Sequence, residues 1–140
     1  MWLYNGQEFT DEMINDYHGF VYIITDLDNN RQYVGQKLFW TPKTRTIKGK
    51  KKRIKVISDY KEYFGSNEEL KERVKQLGAD KFKREILYLC KSKGEMNYRE
   101  LVEQVDRRVL EKPDQYYNAY IGGRINRSHI KTVAKKSVVL

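Results

Sequence analysis

Phe20-Val21-Tyr22-Ile23-Ile24-Thr25, then Asp26-Leu27-Asp28-Asn29-Asn30, then Arg31-Gln32-Tyr33-Val34-Gly35: these sixteen residues decide the fold. β-Branched and aromatic side chains fill both flanks, and such residues suit a pleated, packed surface. The centre is rich in Asp and Asn, which form turns readily, so the stretch reads as a β-hairpin. The first flank is apolar from Phe20 to Ile24 without interruption. A strand with no polar alternation has no solvent face, so it is expected inside a sheet, covered on both sides.

Working outward, residues 10–16 are expected to form a short helix, with Thr10 as N-cap and Asp11 and Glu12 in the first turn. Downstream, Ser66-Asn67-Glu68-Glu69 has the S-x-x-E form of a capping box, and Leu70, Val74 and Leu77 then mark one helical face. Gly78 is the expected stop. Lys81 to Cys90 grows apolar toward its end and reads as a third strand. Asn97 to Leu110 reads as a second amphipathic helix with the stripe Tyr98, Leu101, Val102, Val105 and Val109. The expected class is therefore α+β: a three-stranded antiparallel sheet, made of the hairpin at about 20–37 and a strand at about 82–89, flanked by helices at about 67–77 and 97–110. Residues 1–19 form a helical lead-in, 20–121 the domain proper and 122–140 a basic tail, which from Arg124 onward carries five Lys or Arg and no acidic residue.

The chain has 140 residues, a length that suits one domain. Hydrophobic residues make up 39% and charged residues 34%, too apolar a balance for a disordered chain. No apolar run approaches the roughly 20 residues of a membrane helix, and the start Met1-Trp2-Leu3-Tyr4-Asn5 lacks the pattern of a secretory signal. The single cysteine, Cys90, permits no internal disulfide and reads as a buried structural thiol. A reducing cytoplasm is the expected location. The formal net charge is +9, which favours a polyanionic partner.

That charge is concentrated. Nine Lys or Arg lie between Lys37 and Lys55, and no Asp or Glu occurs between Asp28 and Asp59. The segment reads as a basic loop, or a basic extension of the hairpin, with Lys43, Lys48, Lys50, Lys51, Lys52, Arg53 and Lys55 as a phosphate-binding surface. Thr41-Pro42 and Gly49 argue for loop.

The usual catalytic signatures are missing: there is no Walker-type or dinucleotide-type glycine motif and no Cys/His cluster. His18 and His129 are far apart in sequence; His18 adjoins the first strand and is a supporting candidate. What the residues do offer is a pair of tyrosines, Tyr22 and Tyr33, on adjacent strands, where packing alone is a sufficient role for them.

Phe20-Val21-Tyr22 and Tyr33-Val34-Gly35 resemble the two signature tripeptides of the GIY-YIG nuclease family, at the usual separation. The first departs by Phe for Gly and Val for Ile, the second by Val for Ile. A basic segment, a helix-Gly-strand unit at Glu68 to Leu89, the helix residue Glu103 and then Asn118 after Tyr117 follow in the family's order, with Asn118 fifteen positions beyond Glu103. Tyr60 to Ser66 and the overall length resemble the free-standing phage homing-type members.

The resemblance implies a metal-dependent endonuclease that hydrolyses phosphodiester bonds of double-stranded DNA, acting as a monomer or transient homodimer, in a bacterial host cell if phage-encoded. Glu103 would hold Mg²⁺ or Mn²⁺, Tyr22 would act as base or position the attacking water, and Tyr33 would orient water or phosphate. Gly35 would permit close approach and Asn118 would fix the Glu-bearing helix. Lys37, Arg45 and Arg53 compete for the place of the family's arginine, and Tyr63 could stand near the attacking water. The alternative is a catalytically impaired nucleic-acid-binding module with the same fold and basic loop.

Overall fold

A computed structural model describes residues 1–122, and the backbone of residues 125 and 126. In chain order come β1 (Trp2–Tyr4), β2 (Gln7–Glu8), β3 (Gly19–Asp26), β4 (Gln32–Leu38), β5 (Trp40–Ile47), β6 (Lys50–Ile57), helix α1 (Glu68–Leu77), β7 (Phe82–Cys90), helix α2 (Lys93–Asp106), β8 (Tyr120–Ile121) and β9 (Ile125–Asn126). The class is α+β, as expected. The sheet has five strands rather than three, in the order β2-β1-β7-β3-β4.

The hairpin β3–β4 pairs antiparallel from Gly19↔Leu38 to Thr25↔Gln32, and β7 pairs antiparallel on the other side of β3. β1 adds parallel to β7, and β2 closes that edge. The expected lead-in helix is reduced to one 3-10 turn, Asp11–Met13, because the preceding residues are drawn into the sheet. Trp2 is the reason: its ring packs edge-on against Phe20 and Tyr22, and its Nε1 donates to Tyr60 O at 2.6 Å.

β3 is buried on both faces. Phe20, Tyr22 and Ile24 point into one cluster with Trp2, Phe39, Tyr60, Leu70 and Phe82. Val21, Ile23 and Val34 point into a second with Met96, Val109, Leu110 and Tyr116. α1 therefore covers one face of the sheet and α2 the other. Asn67, not Ser66, caps α1, its side chain accepting from Leu70 N at 2.9 Å. Ser66 is released to bond elsewhere.

α2 begins at Lys93, four residues before its expected start, because Ser92 caps it through Glu95 N. It is also turned differently. Tyr98, Leu101 and Val105 are exposed, whereas Met96 and Gln104 are buried. The helix directs Met96, Glu100 and Gln104 at the sheet, where Glu100 accepts from Gln36 Nε2 and Gln104 Nε2 donates to Val34 O.

The basic segment is an ordered hairpin standing apart from the main sheet. β5 and β6 pair over eight residues each, and Lys48 and Gly49, both at positive φ, make the turn. Two such central residues give the tight reversal that matches strand twist. Pro42 is tolerated because a two-stranded ribbon is all edge. The ribbon is fixed at its base, where Trp40 Nε1 donates to Tyr17 O, Ser58 N to Phe39 O and Ser58 Oγ to Leu38 O. No described helix is long and apolar enough to cross a membrane.

Candidate active site

The two hairpin tyrosines point to the same face of the sheet, since residues 22, 33 and 35 share it by register. β4 is an edge strand. Tyr22 sits opposite Gly35, and its ring crosses the space above that bare α-carbon toward the sheet edge. A Cβ at position 35 would collide with the Tyr22 hydroxyl, and would stand 2.7 Å from Tyr22 Cζ and 3.0 Å from Tyr33 Cε2. Glycine is thus required here for space. A β-bulge in β7 opposite the Val21–Tyr22 step falls at the same place, where such bulges commonly re-aim side chains.

At that edge lies a pocket of about 150 Å³ lined by Tyr22, Tyr33, Ser66, Gln36, Glu100 and Gln104, and closed by residues 120–122. The tyrosines and Ser66 come from one face of the sheet; Glu100 and Gln104 come from α2 on the other. Tyr33 Oη and Ser66 Oγ are hydrogen-bonded at 3.0 Å. Gln36 Nε2 donates to Glu100 Oε1 at 3.2 Å and to Asn97 Oδ1 at 2.9 Å.

Burial governs the electrostatics. Loss of solvent pushes the Glu100 carboxyl up to about 7, with the Gln36 hydrogen bond opposing the shift. The same loss raises Tyr22 well above the ordinary phenol value, with Tyr33, Tyr63 and Glu100 adding to it. Tyr33 is pushed up to about 12, chiefly by burial, against the Ser66 hydrogen bond. No Lys or Arg lines the pocket among the described residues. The site is therefore an enclosure in which a negative charge lacks a cation.

The other expected residues fall around it. Lys37 lies on the tyrosine face, with Nζ 4.3 Å from the Tyr63 ring centroid and 2.6 Å from Asp59 Oδ1. Tyr63 in turn packs edge-on against Tyr22. His18 borders a neighbouring cavity of about 390 Å³, shared with Gln36, Lys37 and Lys93. Arg45 and Arg53 are on the ribbon and line neither pocket.

Asn118 is buried and bonds Val34 twice, Oδ1 accepting from N at 3.1 Å and Nδ2 donating to O at 2.9 Å. With Tyr117 N on Gln32 O and Gln32 N on Gln115 O, this segment covers the β4 edge up to Val34. The pocket opens immediately beyond.

Glu103 is not brought to the tyrosines. Its Oε1 accepts from Tyr88 Oη at 2.9 Å and its Oε2 from Arg107 Nε at 2.9 Å. Three residues further along a helix is about 60° around it, enough to turn Glu103 toward β7 while Glu100 faces the pocket. Sequence reasoning passed over Glu100, Gln36, Gln104 and Ser66. A signal for the first was present in Met96, Glu100 and Gln104, which recur every four residues on one face.

Larger clefts exist. One of about 450 Å³ lies beside Trp2, Phe9 and Tyr60; Glu8, Glu12, Asp11 and Lys61 also line it, and Asp11 already bonds both Tyr60 and Lys61. One of about 550 Å³ beside Leu3, Leu27 and Phe82 is mainly apolar.

A small α+β domain that gathers two hairpin tyrosines and a helix carboxylate at one sheet edge has the features of a GIY-YIG fold. The family model described as "Putative endonuclease segE, GIY-YIG domain" matches residues 2–121, and the chain belongs to this nuclease family. The match takes in β1 and β2 as well as the hairpin. No curated protein and no solved structure matches the chain.

Proposed function

We propose that the protein is a divalent-metal-dependent endonuclease of phage or mobile-element homing type, hydrolysing phosphodiester bonds of double-stranded DNA at the open edge of β4. One observation carries this: Tyr22, Tyr33 and the half-buried carboxylate Glu100 share a pocket that offers that carboxylate no cationic side chain.

A lone, half-buried carboxylate among hydroxyl groups fits a hard cation that keeps several waters. Glu100, rather than Glu103, would hold Mg²⁺ or Mn²⁺. Bound there, the ion would supply positive charge for the phosphate and lower the pKa of an attacking water. Tyr22 and Tyr33, both raised above the ordinary phenol value, are neutral at physiological pH. Each therefore works as an oriented hydroxyl, positioning water or a phosphate oxygen. Lys37 adds a point charge behind Tyr63. The Lys and Arg residues of the β5–β6 ribbon hold the DNA backbone, and Asn118 keeps the β4 edge in register.

The test is cleavage of supercoiled plasmid with Mg²⁺ or Mn²⁺ against an EDTA control. Glu100→Gln and Tyr22→Phe should each slow nicking on the order of 10²–10³-fold, the usual range for losing one aligned group. Glu103→Gln should stay within a few-fold of wild type. Undiminished cleavage by Glu100→Gln sinks the assignment. Salt-sensitive DNA binding with no cleavage by wild type would leave the binding-module reading instead.

A further inference from the structure

Two side-chain oxygens in the candidate site are buried and have no hydrogen-bond partner among the described residues: Gln104 Oε1 and Gln36 Oε1. Both residues line the same pocket as Glu100. Their amide orientations follow from what the nitrogens do. Gln104 Nε2 donates to Val34 O at 3.2 Å, and Gln36 Nε2 donates to Asn97 Oδ1 and Glu100 Oε1. Turning either amide over would set oxygen against oxygen. Gln104 is only 5% exposed, so bulk solvent does not satisfy it. A buried acceptor left empty is costly, and each such group calls for a partner.

Glu100 and Gln104 stand one turn apart on the same face of α2. Gln36 reaches them from the exposed edge of the sheet, already bonded to Glu100. The geometry points to Gln104 and Gln36 as carboxamide ligands that complete, with Glu100, an all-oxygen donor set for one hard divalent cation. This rests on the reading of Glu100 as the metal carboxylate.

The chemistry of the set is specific. One carboxylate and two neutral amide oxygens, with no sulfur or imidazole, suit Mg²⁺ or Mn²⁺ over Zn²⁺. A single ligand charge leaves the occupied site net positive, which favours a phosphate over a carboxylate-rich competitor. Three protein oxygens also leave positions for water and a phosphate oxygen in an octahedral ion.

Mn²⁺ binding to the free protein, followed by electron paramagnetic resonance, tests the set without reference to cleavage. Wild type should bind one Mn²⁺ saturably, and Zn²⁺ should compete poorly. Gln104→Leu should weaken Mn²⁺ about tenfold, the lower range for lost groups around a metal. Gln104→Glu should tighten it several-fold, because an amide oxygen becomes a carboxylate. If Gln104→Leu does not fold by circular dichroism, the Glu variant decides alone. No saturable binding by wild type overturns the donor set. Wild-type affinity in the Gln104 variants, with binding lost in Glu100→Gln, also overturns it and leaves the endonuclease reading standing. Binding that survives Glu100→Gln removes the reading of Glu100 itself.

Discussion

Tyr22 and Gly35 are register partners on β3 and β4, and the Tyr22 ring occupies the volume that a side chain at 35 would need. That exchange carries a phenol from the interior of the sheet to its edge. Gly35→Ala should therefore displace Tyr22 and, through it, Tyr33. Overpacking of this kind costs about 1–3 kcal/mol. The expected outcome is a modest fall in thermal midpoint, with plasmid nicking lost far beyond what the stability change explains. An alanine variant with wild-type midpoint and wild-type nicking would contradict the geometry.

Glu100 makes stability and metal affinity depend on pH in opposite directions. Its folded pKa is about 7, raised by burial, against about 4.3 for an unperturbed Glu. Between those values the unfolded chain has released a proton that the folded chain keeps, so stability falls as pH rises. Below about pH 4 the effect is absent, and above about pH 7 it is complete. Metal-free Glu100→Gln should thus be more stable than wild type at pH 8 and close to it at pH 4. Urea titrations at the two pH values measure this. Mn²⁺ affinity of the wild type should climb up to about pH 7 and then level off, since the cation binds the carboxylate form.

α1 is legible because its apolar residues keep one helical period, and the hairpin and the third strand because dense runs of β-branched and aromatic residues mark them. β1 and β2 are not, since three- and two-residue strands carry no period; backbone pairing to β7 and the ring contacts of Trp2 hold that edge. The orientation of α2 was misread for a different reason. Periodicity assigns the apolar stripe to the core, yet Tyr98, Leu101 and Val105 face outward while Glu100 and Gln104 face the sheet edge. Polar groups turned inward at a pocket are where a local rule gives way to a functional one. Sequence spacing to Asn118 selected Glu103, but Asn118 acts on Val34, a contact that says nothing about which carboxylate faces the tyrosines. Ser66 was read as a cap because S-x-x-E fits; Asn67 takes that role and frees the hydroxyl for Tyr33. The tail from 127 and His129 lie outside the described residues.

Asp26 ties the site's supports together. It is fully buried, and its Oδ2 accepts from Arg73 Nε at 2.9 Å and Tyr117 Oη at 2.6 Å, while Oδ1 accepts from Asp28 N at 3.0 Å. Burial raises this carboxyl, but Arg73, Tyr117 and the Asp28 amide outweigh it and hold it below the usual range. Its contribution is therefore present above the unfolded value of about 3.9 and is lost as pH falls through the lower folded value. Asp26→Asn should cost roughly 3 kcal/mol, the scale for removing one member of a buried charged network. It should also flatten the acid limb of the urea midpoint below about pH 4. An unchanged acid limb would mean that other carboxylates set it.

The ribbon offers the sharpest test of the DNA contact. Pairing places Lys51, Arg53 and Lys55 opposite Thr46, Thr44 and Pro42, and sets Arg45 directly across from Lys52. Like charges at paired positions destabilise a hairpin, so this arrangement makes sense against an anion, and a two-stranded ribbon is narrow enough for the major groove. Residues 41–53 are exposed throughout, so replacing them leaves the core intact. Each Lys or Arg that neutralises a phosphate contributes about 0.9 to the slope of log affinity against log salt. Changing Lys51, Arg53 and Lys55 together to Gln should lower that slope by about 2–3 for a fluorescent duplex, with the thermal midpoint unchanged. Doing the same to Lys71, Lys75 and Lys83, which lie off the ribbon on α1 and β7, should leave the slope nearly as it was. Equal losses from both triple variants would show that the ribbon acts only as part of a diffuse positive charge.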